Sequence, residues 1–241
     1  MAERRVALVT GGARRLGAAF SRVLARRGYV VAIHHRQSHA EAAALGAEIA
    51  SAGGESHTFA ADLADSPAPA ALVRDVVERC GRLDVVVNSA ANMLRTPVGS
   101  VTAEQLDEIF ALNTRAPFLI AQAAAAAMTD GGVIVNMADL AAFETWAGYI
   151  PHAMSKAAIV QMTRALARVL APRIRVNAIA PGVVLLPDGW DGAAAEHLAA
   201  TTPLRRHGSP DDVMRAFEYL LDAPFVTGEV LFVDGGRHVR R

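Results

Sequence analysis

Of the 24 basic residues in this 241-residue chain, one is a lysine, Lys156, and all the others are arginine. A lysine serving only as surface charge could be arginine, whereas a site that needs a compact ammonium could not. Lys156 is therefore the first candidate for chemistry. The second is Thr10-Gly11-Gly12-Ala13-Arg14-Arg15-Leu16-Gly17, a glycine-rich turn between an apolar run and a helix-period segment. Such a turn lets the backbone approach a pyrophosphate, which then rests on the free N–H groups of the helix N-terminus. The third is Ile33-His34-His35-Arg36-Gln37-Ser38, at the end of the next apolar run. An acid here would hold a ribose 2′-hydroxyl, but none is present. Arg36, Ser38 and Arg14 instead offer the guanidinium and hydroxyl donors that suit a 2′-phosphate, so NADP(H) is the expected cofactor. His35 and His39 have a spacing zinc can use, yet no third ligand stands nearby and no metal is expected.

Short β-branched runs (6–9, 30–33, 57–61, 85–87, 133–135, 174–180, 230–233) alternate with helix-period segments (16–27, 40–52, 69–80, 103–128, 153–170, 211–221). Strands that read as continuous apolar runs are buried on both faces, which points to a parallel sheet between helix layers. The expected architecture is α/β, a doubly wound parallel sheet of about seven strands forming one domain over 1–241. The long connection at about 182–209 is expected to be a lid. Hydrophobic residues make up 52% of the chain and 24 acidic side chains balance the basic ones, which argues against nucleic acid or an anionic membrane as partner. No run of ~18 uninterrupted apolar residues suggests a membrane span. The lone Cys80 and the absence of a secretory leader pattern after Met1 suggest a reducing, cytoplasmic setting.

From Val6 to Arg241 the order and spacing of these motifs resemble the short-chain dehydrogenase/reductase family. The turn is similar to the family's Thr-Gly-x-x-x-Gly-x-Gly, with Arg15 for the middle glycine, a replacement that resembles the pteridine reductase branch. So do Asn88-Ser89-Ala90-Ala91 with Thr96-Pro97, Asn113-x-x-Ala116-Pro117, and the tail Val233-Asp234-Gly235-Gly236. The resemblance implies cofactor contacts from Gly11, Arg14, Arg15, Leu16, Gly17, His35, Arg36, Ser38, Asp62, Leu63, Asn88, Ser89, Ala90, Lys156, Pro181, Gly182 and Val184. It also implies a homotetramer built on segments 103–128 and 153–170 and the last strand.

The family's reaction, hydride transfer between nicotinamide and a carbonyl, imine or alcohol carbon, needs a proton donor. The resemblance implies a tetrad of Asn113, Asp139 at the usual serine position (as in pteridine reductases), His152 at the usual tyrosine position, and Lys156. Three readings of the proton donor stand open. His152 is kept protonated by Asp139 against the opposing pull of Lys156; or a protonated Asp139 or water donates; or Tyr149, ahead of Pro151 and off the helix, stands in. Met93, Asp139, Tyr149, His152 and Trp190 are the expected substrate-side residues. The expected activity is NADPH-dependent reduction of a small, pteridine-like carbonyl or imine. Alternatives are a 3-oxoacyl-thioester or other small-carbonyl reductase, and an NADP(H)-binding sensor that has lost turnover at His152.

Overall fold

The computed structural model describes residues 4–185 and 192–239. Seven parallel strands form one sheet: β1 Val6–Thr10, β2 Val30–His35, β3 Glu55–Ala60, β4 Val85–Asn88, β5 Gly132–Met137, β6 Ile174–Pro181 and β7 Val230–Val233. The spatial order is β3-β2-β1-β4-β5-β6-β7, so the winding reverses between β1 and β4. Every residue of β1, β2 and β4 is buried, as strands covered on both faces require. Alternation along β1 sends Ala7 and Val9 to one layer, against Phe20, Leu24 and Phe217. Val6 and Leu8 face the other layer, against Leu72, Val76 and Ile120.

The helices are α1 Arg15–Arg26, α2 His39–Ser51, α3 Ala68–Cys80, α4 Ala103–Phe110, α5 Ala116–Ala127, α6 Ile150–Leu170, α7 Gly192–Thr201 and α8 Pro210–Asp222. Three departures from the sequence expectation shape the site. Segment 103–128 is not one helix, because a π turn at Ala111–Arg115 separates α4 from α5. Pro117, in the first turn of α5, has no N–H to donate to the carbonyl four residues back, so the α ladder breaks there. Helix α6 begins at Ile150 rather than at 153. Pro151 falls in its first turn, where a missing N–H costs nothing, and His152 is thereby helical. The stretch 182–209, expected as a long loop, contains α7. Among the described residues, no helix is long and apolar enough to cross a membrane.

Candidate active site

The reversal between β1 and β4 opens a crevice at the carboxyl ends of the strands, where ligands of such sheets bind. Thr10 Oγ1 forms its floor, accepting from the backbone N–H of Ser89 at 2.9 Å and of Ala90 at 3.1 Å. Gly11 turns with φ +61°, and a Cβ on Gly17 would lie 2.0 Å from the Gly11 carbonyl oxygen, so only glycine lets α1 start this close. No side chain caps α1 and no acid lies in its first turn, leaving its N–H groups for an anion. Arg15, at the position where the family turn has glycine, carries φ +51°, a conformation costing a side chain about 1–2 kcal/mol.

Beneath the turn lies His34, which sequence reasoning did not single out. The Gly11 N–H donates to its Nδ1 at 3.1 Å, and its Nε2 stands 3.1 Å from the Ala61 carbonyl. The ring is therefore neutral with its proton on Nε2, and burial lowers its pKa to about 4, with His35 adding to the drop and the Ala61 carbonyl and Asp62 opposing it. Its folded pKa lies below the unfolded value of about 6.5. Its contribution is therefore whole above about pH 6.5 and lost progressively as pH falls toward 4, about 3 kcal/mol in all. Urea midpoints measured between pH 7 and 4.5 should fall in the parent and fall less in His34→Gln. Equal slopes would remove His34 from the acid response.

The second wall of the crevice comes from α6, whose buried stripe includes His152, Ser155, Lys156 and Ile159. Lys156 is enclosed, and its Nζ donates to the Met137 carbonyl at 2.7 Å. Burial lowers its pKa, and the Asp139 carboxylate acts in the opposite direction. Asp139 leaves β5 as the cap of a short 3-10 turn, Leu140–Ala142, its Oδ1 accepting the Ala141 N–H at 2.8 Å. Its Oδ2 stands 3.6 Å from His152 Nε2. The other ring nitrogen, Nδ1, lies 3.1 Å from the Asn92 carbonyl and 3.5 Å from Asn113 Nδ2. The shorter contact is to a group that only accepts and is met by an Nδ1–H, which we assign on that ground. Asn113, in the π turn, locks this arrangement. Its Nδ2 donates to the Asn92 carbonyl at 2.9 Å and to Ser155 Oγ at 3.1 Å, and its Oδ1 accepts the Asn92 N–H at 2.9 Å.

An Nδ1–H imidazole leaves a lone pair on Nε2 facing a carboxylate oxygen, two acceptors with nothing between them. His152 Nε2 is indeed buried without a hydrogen-bond partner. One proton on the pair removes the conflict, whichever of the two atoms carries it. The two partners differ in access: the His152 side chain is 3% exposed and that of Asp139 24%.

One cleft of about 1040 Å³ joins these parts, running from Gly11, Arg14, Arg15, Leu16 and Gly17 past Ser89 and Ala90 to Asp139, His152 and Lys156. Pro181, Gly182, Val184, Met93 and Tyr149 line it too. Tyr149 precedes α6 as its N-cap, as its place before Pro151 suggests, and is pinned by a bridge to Thr96. Other expected residues lie off the cleft wall. Asn113 is behind His152. Asn88 is buried in the sheet, donating to Asn136 Oδ1 at 2.9 Å, and Leu63 is in the core, so their side chains do not face the cleft. Arg36 and Ser38 are at the end of β2, where Arg36 is 3.8 Å from Asp62 and Arg14 is 3.7 Å from Glu41, both exposed pairs. His35 is buried there against His39, its Nδ1 unpartnered. Trp190 lies outside the described residues. Sequence reasoning missed Asn92 and Ser155. Asn92 acts through its backbone, which leaves no signal in residue type, while Ser155 shares the α6 stripe with His152.

The family described as enoyl-(acyl carrier protein) reductase matches residues 11–238. The chain is 37% identical to an uncharacterized oxidoreductase of Mycobacterium tuberculosis, over 96% of this chain and 91% of that one. It is 36% identical to a hydroxynaphthalene reductase-like protein, Arp2, of Metarhizium majus, over 96% and 94% of the two chains. Among solved structures, FolM alternative dihydrofolate reductase 1 from Brucella suis, in complex with NADP, superposes with a TM-score of 0.93 at 32% identity, over 100% and 98%. The chain belongs to the short-chain dehydrogenase/reductase family. As a member of that family it is an oxidoreductase, and its glycine-rich turn, uncapped α1 and exposed Arg14 and Arg36 fit a phosphorylated dinucleotide.

Proposed function

We propose that this enzyme reduces a small, planar carbonyl or imine with NADPH, and that its proton is held on the Asp139–His152 pair. The observation that carries the reading is that pair, Nε2 and Oδ2 3.6 Å apart, opening onto the same cleft as the glycine-rich turn. NADPH supplies the hydride when bound. Gly11, Gly17 and the α1 N-terminus would hold its pyrophosphate, Arg14, Arg36 and Ser38 its 2′-phosphate, and Lys156 its nicotinamide ribose. The more exposed Asp139 Oδ2 hands the one shared proton to the substrate heteroatom. His152 Nε2, with its ring fixed through Nδ1 on the Asn92 carbonyl, shares that proton with Oδ2 beforehand, and water reloads the pair after each turnover. Asn113 and Ser155 keep the ring in register. Lys156, held against the Met137 carbonyl, lies within electrostatic reach of Asp139. Met93 and Tyr149 on the cleft wall suit a flat, pteridine-like ring, and the 182–209 stretch with α7 serves as lid. The family description makes a 3-oxoacyl thioester the second class to test. NADPH oxidation over a panel of pterins, cyclic ketones and 3-oxoacyl thioesters decides the matter; binding of NADPH with no oxidation by any member would instead leave a sensor.

The cofactor assignment makes a separate prediction. A charge-assisted contact is worth ~1.5–3 kcal/mol, so Arg36→Ala should weaken NADPH roughly ten- to a hundredfold with little effect on NADH. Equal affinities of the parent for the two would sink it. We also propose a homotetramer. A groove of about 730 Å³ lined by Phe110, Ala111, Phe118 and Met162 lies on the face of α4, α5 and α6, with Phe118 exposed. Light scattering at micromolar concentration should give four copies; a monomer would contradict this.

A further inference from the structure

Arg237 has no place in the mechanism above, yet it is nine-tenths buried and lines the same cleft as His152 and Asp139. It sits in the short 3-10 turn Arg237–Val239 that follows β7. The preceding residues wedge this turn between the lid and the sheet: the Leu204 N–H donates to the Gly235 carbonyl at 3.1 Å, and Gly182 packs on Asp234. Among the described residues the guanidinium has an ion pair at Glu144 but no hydrogen bond. Its Nε and Nη1 have no acceptor. Its Nη2 stands 3.8 Å from Glu144 Oε2, beyond hydrogen-bond distance, while that oxygen accepts the Trp146 indole N–H at 2.9 Å. A buried arginine held by one long ion pair and no hydrogen bond is costly, and a ligand that brings an acceptor to Nη2 recovers part of that cost.

Building on the reductase reading of the cleft, we infer that Arg237 is the specificity residue for a substrate carrying an anionic oxygen, a carboxylate or its equivalent, away from the reacting carbon. At this end of the cleft the wall carries Lys156 and Arg237 against one carboxylate, Asp139. An anionic group on a substrate meets more positive than negative charge there, which a neutral ketone would not use. Trp146, on the wall beside Tyr149, offers an aromatic surface and shares the Glu144 Oε2 with Arg237.

Benzoate and benzamide, which have the same ring and differ in charge, test this without turnover. Each is titrated by calorimetry into the NADPH-loaded protein. Benzoate should bind at least tenfold more tightly. Arg237→Gln and Arg237→Met, each checked for fold by melting and by NADPH affinity, should cost benzoate about ten- to a hundredfold and benzamide less than threefold. Equal affinities in the parent, no binding of either at millimolar concentration, or equal losses for both probes in a folded variant would overturn the inference. The two readings fail separately. Discrimination of benzoate by a protein that oxidises NADPH with no carbonyl would keep Arg237 and reject the reductase; reduction of carbonyls without discrimination would do the reverse.

Discussion

His152→Ala lowers the rate of NADPH-dependent reduction roughly 10²–10⁴-fold, the range expected when a positioned proton donor is removed. Asp139→Asn does the same, because an amide facing Nε2 can neither carry nor pass on an acidic proton. The double variant is little worse than either single one, since the two side chains act as one proton-carrying unit and such units are grossly non-additive. Stopped-flow single turnover, which isolates the chemical step, checks all three. Losses that multiply would mean that Asp139 and His152 work independently. A His152→Ala protein as fast as the parent would put the proton on Asp139 alone, on Tyr149 or on water.

Lys156→Met is expected to abolish most turnover, by about 10³-fold (~4 kcal/mol at 1.36 per decade), while the protein melts no earlier than the parent. The two halves have one cause. Burying an ammonium costs several kcal/mol, only partly returned by the Met137 carbonyl and Asp139. Because folding lowers the Lys156 pKa, its penalty is in full force below the folded value and fades as pH rises toward the unfolded value of lysine. An apolar side chain of similar length removes that penalty together with the charge the reaction uses. Lys156→Arg should not rescue, since a planar fork cannot replace an enclosed ammonium. Calorimetric melting beside single-turnover rates tests this; a Lys156→Met variant that melts earlier but still turns over would show that the lysine is structural.

Most of the sheet was readable because strands buried on both faces leave uninterrupted β-branched runs, as at Val85–Val87. The run at 57–61 is a strand too, but as the edge strand β3 it has no fully buried residue. The cofactor turn was readable for a different reason: Gly11 and Gly17 meet constraints that only glycine satisfies. What was hidden has physical causes as well. Pro117 was in plain view, but the apolar period continues on both sides of it, so segment 103–128 reads as one helix although the π turn holding Asn113 interrupts it. Helix α7 is half alanine between glycine- and proline-containing neighbours and carries little amphipathic signal. The part of Asn92 is played by its backbone, and that of Arg237 by the packing of a tail whose glycines say only that it turns. Residue types and spacings brought Asn113, Asp139, His152 and Lys156 to notice. The tautomer of His152 and its orphaned Nε2 needed the carbonyl of residue 92, sixty positions away.

The most direct test of the proton-carrying pair is the pH dependence of single-turnover NADPH oxidation in the parent and in His152→Tyr. As free groups, an imidazolium gives up its proton at a far lower pH than a phenol does. The account predicts that the parent's rate falls on going alkaline and that His152→Tyr shifts this limb upward by a unit or more. Superimposable profiles for the two proteins would contradict it.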